Sequence, residues 1–231
     1  MALTEILVHV EASATGQGRL QGAKALAAVH EARLVAVGVA GTPADGATEW
    51  RDIHSLRQLP THARYADLTI MGQTDDGAHD HVTEMVMTVG RPVMVIPRRG
   101  SFPSIGRRPL IAWNASREAT RAVFDALPLL RRADRVTVLT LDADSGAGGE
   151  DRVPGADIGL TLARHMVPVE VVHSTRGEID AGNALLSRAA DCGADLIVMG
   201  AFGHSPLHER VLGGATRHIL QHMTVPVLIS H

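Results

Sequence analysis

The chain has 231 residues, 45% of them apolar and 20% charged, with a formal net charge of -3. That is enough chain for one large or two small domains around a packed core. The charge balance and the 3% of aromatic residues leave no footprint for nucleic acid. No apolar run approaches the roughly 20 residues of a membrane span, and no basic-then-apolar leader opens the chain, so a cytoplasmic protein without membrane attachment is expected. Cys192 is the only cysteine and Lys24 the only lysine. Intrachain disulfides and cysteine-rich zinc sites are therefore excluded, as is a Walker-type phosphate loop, whose lysine follows its glycine.

In chain order, Ile6–His9 reads as a first strand and Leu34–Val39 as a second. No strand-like run occurs in Thr42–Arg64, where Trp50 to Leu59 reads as a single helix. Ala66–Gly72 is the next strand, followed by the acidic loop Gln73–Asp80, and Arg91–Pro97 is another. Arg98–Gly106 has linker composition. Beyond it, Pro109–Trp113 reads as a buried strand, and Ser116 as the N-cap of a helix with Ala119, Val123, Ala126, Leu127 and Leu130 on its apolar face. Val136–Leu141, a helix over Ile158–Met166, Val169–His173, a helix over Ile179–Cys192, and Leu196–Met199 follow. A helix over Thr216–His222 and a last strand over Val225–Ile229 complete the series. Strands alternating with helices imply a parallel sheet with right-handed crossovers.

The chain also repeats itself. Tyr65-Ala-Asp-Leu-Thr-Ile-Met-Gly72 aligns with Gly193-Ala-Asp-Leu-Ile-Val-Met-Gly200, Arg91–Pro97 with Val225–Ser230, and Ile6–Ser13 with Pro109–Ser116. Matches in the same order argue for duplication of one domain, giving residues 1–99 and 107–231 as the two units. The first copy is shorter and reads as lacking a strand and the helix before it. Its acidic loop would repel phosphate, so it reads as structural.

In the second copy a strand stops at Gly200, Gly203 follows, and after nine more residues Gly213 leads into a helix. That order sets bare backbone N–H groups and a helix N-terminus around one concavity, a suitable phosphate cradle. Ligands of open parallel sheets sit beyond the carboxyl ends of the strands, at the point where strand order reverses. The loops there begin at Asn114 and Gly200.

Met199-Gly200-Ala-Phe-Gly203, nine residues, Gly213, and a following Pro-Val-Leu strand resemble the universal stress protein family. The resemblance covers nearly the whole chain as two tandem doubly wound domains, and implies strand order 3-2-1-4-5 with pairing of the two copies through their last strands. It further implies binding of ATP or a related adenine nucleotide, with or without Mg, in the second copy, with slow hydrolysis at most. Gly200 and Gly203 would approach phosphates and ribose, Gly213 would lead the phosphate-binding helix, and the Leu141 backbone would meet adenine. Asn114 stands where the family usually has aspartate, and Gly214 where it has Ser or Thr; Thr216 matches a threonine often present. His204, next to Gly203, is a further candidate phosphate donor. The family pattern also implies a homodimer and a role in stress response signalled to protein partners.

Other residues read as structural or solvent-exposed. His218 and His222, and likewise His204 and His208, have metal-compatible spacing without an accompanying motif glutamate, and read as surface histidines. Arg210 and Arg217 flank the third glycine and read as exposed helix-end arginines. Asp195 opens its strand at the end away from the crevice and reads as structural; Cys192 reads as a buried, inert thiol. Asp144–Pro154 is linker-like. A phosphorelay receiver would need acidic residues where Asn114 and His173-Ser174 stand, together with a lysine after its last strand, and no hydrolase nucleophile elbow is present. Two classes remain: a nucleotide-binding stress module, and an interaction scaffold that binds no nucleotide.

Overall fold

The computed structural model describes residues 2–11, 13–39, 47–74, 81–142, 155–175, 179–201 and 214–231. The first half contributes β1 (Glu5–His9), α1 (Ala14–His30), β2 (Arg33–Val39), β3 (Glu49–Ile53), a 3-10 turn over Leu56–Gln58, α2 (Leu59–Ala63), β4 (Leu68–Gly72), α3 (His81–Val89) and β5 (Val93–Ile96). The second contributes β6 (Pro109–Ala112), α4 (Arg117–Leu130), β7 (Val136–Asp142), α5 (Ala156–Arg164), β8 (Val169–Thr175), α6 (Ala181–Asp191), β9 (Leu196–Gly200), α7 (Gly214–His222) and β10 (Val227–Ser230).

All ten strands form one sheet in the order β3-β2-β1-β4-β5-β10-β9-β6-β7-β8. Within each half the order is 3-2-1-4-5 and every pairing is parallel. The halves join where β5 and β10 run antiparallel, with Met94 opposite Leu228. These two strands are apolar and fully buried. Left as edges they would present unpaired N–H and C=O groups, and pairing them removes that liability. The central strands are the uninterrupted Val/Ile/Leu runs expected of a sheet covered on both faces. α1, α4 and α5 pack on one face, α2, α3, α6 and α7 on the other.

The two copies use the same local devices. Ser13 accepts from Gly16 N at 3.0 Å and Ser116 from Ala119 N at 3.1 Å, so each strand-to-helix turn is capped by a hydroxyl. Asp67 accepts from Thr4 N and Glu5 N at 2.7 and 3.0 Å; Asp195 does the same for Arg107 N and Arg108 N at 2.8 Å each. These carboxylates tie the start of each half's first strand to the start of its fourth, as the structural reading of Asp195 anticipates. The linker also contributes to the core: Ile105 is buried, and Phe102 O and Ile105 Cδ1 lie 3.5 Å from the position of a Cβ on Gly22.

One expectation is overturned: the first half lacks no strand. Glu49–Ile53 pairs with β2 along its whole length, and the segment from Trp50 to Leu59 is a strand and a turn instead of one helix. An edge strand need not be an apolar run. Glu49-Trp-Arg-Asp-Ile53 is only partly buried, with Arg51 Nε 2.6 Å from Glu49 Oε1, and such charges are what keep an edge from pairing further. The crossover helix α5 has no counterpart among the described residues of the first half. Trp50 lies over the sheet there: a Cβ on Gly38 would stand 3.0 Å from Trp50 Cζ2 and 2.9 Å from Val10 O, and the indole N–H donates to Asp52 Oδ1 at 2.9 Å.

Candidate functional site

β9, β6 and β7 are adjacent, and their carboxyl ends carry Gly200, Asn114 and Leu141. β9 and β10 are parallel neighbours joined through α7, so α7 runs back against the strands and begins at this same edge. Gly214 is its first residue and Thr216 lies in its first turn, where backbone N–H groups have no intrahelical partner. Five of the eight predicted residues thus gather at one edge of the sheet. Gly203, His204 and Gly213 lie outside the described residues, as do His208, Arg210 and the linker-like 144–154 segment.

Gly200 has a steric reason to be glycine. A Cβ there would clash with Ala119 N and stand 2.5 Å from Glu118 C and 2.7 Å from Glu118 Cβ, all in the first turn of α4. The strand end and the α4 N-terminus therefore approach backbone to backbone, a close strand–helix packing that only glycine allows here. A Cβ on Gly214 would meet nothing within 4 Å among the described residues. The turn into α4 is sharp: Ala115 has φ 58°, and Asn114 Oδ1 accepts from Ser116 N at 3.1 Å. Asn114 thus uses one lone pair of its side-chain oxygen on its own turn, while its amide remains a donor. Leu141 is half-buried against the core, and Thr216 is buried.

The histidine pair lies at the surface, with a ring nitrogen of each hydrogen-bonded to the protein itself. His218 Nε2 is 2.9 Å from Asn183 Oδ1, His222 Nδ1 is 2.9 Å from His218 O, and the two rings stack with centroids 4.2 Å apart. Among the described residues no group of three or more potential metal ligands occurs. Cys192 is only partly buried, and its thiol lies 3.6 Å from Ala189 O.

Sequence reasoning missed a cluster in the first half. At the equivalent switch point a cavity of about 240 Å³ is lined by His9, Glu11, Arg19, Gly72, Gln73 and Arg98, among others. Arg19 is 5% exposed; its Nη1 donates to His9 O at 2.8 Å and lies 3.3 Å from His9 Nδ1, and its Nη2 donates to Glu11 Oε1 at 2.9 Å. The guanidinium fills the space a Cβ on Gly72 would need. Burial, with Arg19 and His81 adding and Glu11 opposing, pushes the His9 pKa down to about 4. Burial alone would raise Glu11, but the charge and hydrogen bond of Arg19, with smaller help from His9 and Ser13, hold its carboxyl below the usual range. A signal was available: in the alignment of the copies Arg19 stands opposite Ala122, a charge on an otherwise apolar helix face.

The model of the universal stress protein family matches residues 107–231, more than half of the chain. Among solved structures, a universal stress protein from Archaeoglobus fulgidus DSM 4304 superposes with a TM-score of 0.74 at 15% identity, covering 98% of this chain and 95% of that one. A protein described as a putative universal stress protein from Pseudomonas aeruginosa UCBPP-PA14 gives 0.71 at 14% identity, covering 99% and 93%. At such identities the likeness is one of fold, and it extends over both halves. No curated protein matches the chain. No helix of the described residues is long and apolar enough to cross a membrane.

Proposed function

From the premise that the chain belongs to the universal stress protein family, we propose that it is a stress-response module that binds ATP or a related adenine nucleotide at one site, in its second half. The observation that carries this reading is the convergence of the Asn114 turn, the Gly200 strand end and the N-termini of α4 and α7 at the carboxyl edge where β6 and β9 pair, the point where strand order reverses. Two helix N-termini facing one crevice favour a polyphosphate. Asn114, Leu141, Gly200 and Gly214 are its described walls, with Thr216 in the α7 turn. Gly203, His204 and Gly213 complete the set by motif spacing, and Mg would accompany a triphosphate. The first half would hold no nucleotide, because the Arg19–Glu11 pair narrows its switch point to a cavity of about 240 Å³, below the about 300–1,000 Å³ of ligand pockets. The chain would work in the cytoplasm as a homodimer, signalling its nucleotide state to protein partners, with hydrolysis slow or absent.

One observation favours the scaffold reading instead: one of the two acceptor sites of the Asn114 oxygen is already engaged by Ser116 N. Calorimetric titration with ATP and AMP, beside a Gly203→Val, Gly213→Val variant, separates the two. Binding abolished in the variant supports the site. Binding that survives both substitutions refutes it, and no binding at millimolar ligand leaves the scaffold.

A further inference from the structure

Gln73 crosses from one half of the protein to the other. It follows Gly72 at the end of β4, and its backbone N donates to Ile96 O at 2.9 Å. Its side-chain Nε2 donates to Leu220 O at 2.8 Å and to Gln221 O at 2.9 Å, both in the last turn of α7. Its Oε1 accepts from Arg98 N at 3.1 Å. The amide has only one orientation that serves these three partners: the NH2 must face the two carbonyls and the oxygen must face the N–H.

The last four carbonyls of a helix have no intrahelical partner, and a nine-residue helix is marginal by itself. Two of those carbonyls in α7 are supplied by a donor from the other half. The arrangement does not repeat across the pseudo-symmetry, because the residue after Gly200 is Ala201, which has no side-chain donor. The tether therefore runs one way, from the first half to the helix whose N-terminus faces the second half's crevice. Gln73 also lines the first half's cavity, so a rearrangement around Arg19 or Arg98 lies next to it.

We propose that Gln73 is a positioning residue for α7: the first half holds this helix by its C-terminal end, and ligand affinity at the helix N-terminus depends on that hold. The dependence on affinity rests on the nucleotide reading above; the tether itself does not. It gives the shortened half a role in the site that its own crevice does not supply. The chemistry fits the helix dipole, since an NH2 donor complements the negative C-terminal end and a carboxylate of the same shape opposes it.

The test is Gln73→Glu, which keeps the shape and loses the donor, beside Gln73→Leu. Hydrogen exchange is followed on residues 214–222 and 14–30, and ATP affinity by calorimetry. We expect exchange of 214–222 to quicken about fivefold or more, 14–30 to keep its wild-type rate, and ATP affinity to fall about fivefold, with the glutamate variant the more affected. Unchanged exchange in 214–222 overturns the proposal, as does faster exchange with undiminished affinity in a protein that binds ATP. Acceleration spread equally over both segments also overturns it, since that is the signature of general destabilisation. If the wild type binds no ATP but the variants quicken 214–222 alone, the tether stands and only the nucleotide reading falls.

Discussion

Replacing Gly200 with alanine perturbs the crevice by a single methyl group. The added Cβ would stand 2.5 Å from Glu118 C, roughly 1 Å inside the about 3.5 Å at which carbon atoms begin to attract. Its obstacles are mainly backbone, Ala119 N and Glu118 C, so no rotamer change relieves the overlap. The first turn of α4 must retreat, and that turn carries the Ser116 cap on Ala119 N. Overpacking costs about 1–3 kcal/mol and a weakened cap about 1 kcal/mol more. We expect Gly200→Ala to lose about 3 kcal/mol, lowering the melting temperature by about 6–12 °C. Gly214→Ala, whose Cβ meets open space among the described residues, should stay within about 0.5 kcal/mol of wild type. Urea unfolding followed by circular dichroism measures both. A Gly200→Ala protein within about 1 kcal/mol of wild type, or no less stable than Gly214→Ala, would refute the backbone-contact argument.

Two further outcomes are expected. His9 titrates at about 4 in the folded protein against 6.5 for the free side chain, so between these values the unfolded chain binds the extra proton and stability rises with pH. The contribution is complete above pH 6.5 and declines as pH falls toward 4, by about 3 kcal/mol. His30, also lowered, first by burial and then by Arg132, adds in the same direction. Urea midpoints across this range should show a shallower slope in His9→Gln, and an unaltered slope would contradict the burial of a neutral imidazole beside Arg19. Gly214→Ser restores the hydroxyl that the family pattern carries at the head of the phosphate-binding helix, into space that is open among the described residues. One added hydrogen bond of about 1 kcal/mol should tighten ATP about fivefold in a titration, whereas unchanged or weaker binding would mean that Gly214 does not face the phosphates.

The second half was largely legible because its inner strands are buried on both faces. Val136–Leu141 and Leu196–Met199 are apolar runs flanked by turn residues, and Ser116 announces its helix by the capping rule. The strand order came from the resemblance and not from periodicity, which carries no information about neighbours. Glu49–Ile53 escaped notice because an edge strand buries little and carries charge, leaving a pattern that a helix matches equally well. Arg19 escaped notice because its partners, His9 and Glu11, lie on a strand and turn whose relation to α1 exists only after folding. Gln73 could not be found at all: its acceptors are backbone carbonyls 147 and 148 residues away, and a carbonyl has no sequence signature. The glycines were visible by spacing, but the reason for Gly200, a helix turn pressed on its Cα, was not.

One adenine nucleotide is expected per chain, in the crevice of the second half. The most direct measurement is the stoichiometry of ATP binding at saturation, by calorimetry on the full chain. One equivalent per chain is the expected result. Two equivalents would show that the first half, despite Arg19 and Glu11, binds as well, and none at millimolar ATP would remove the site.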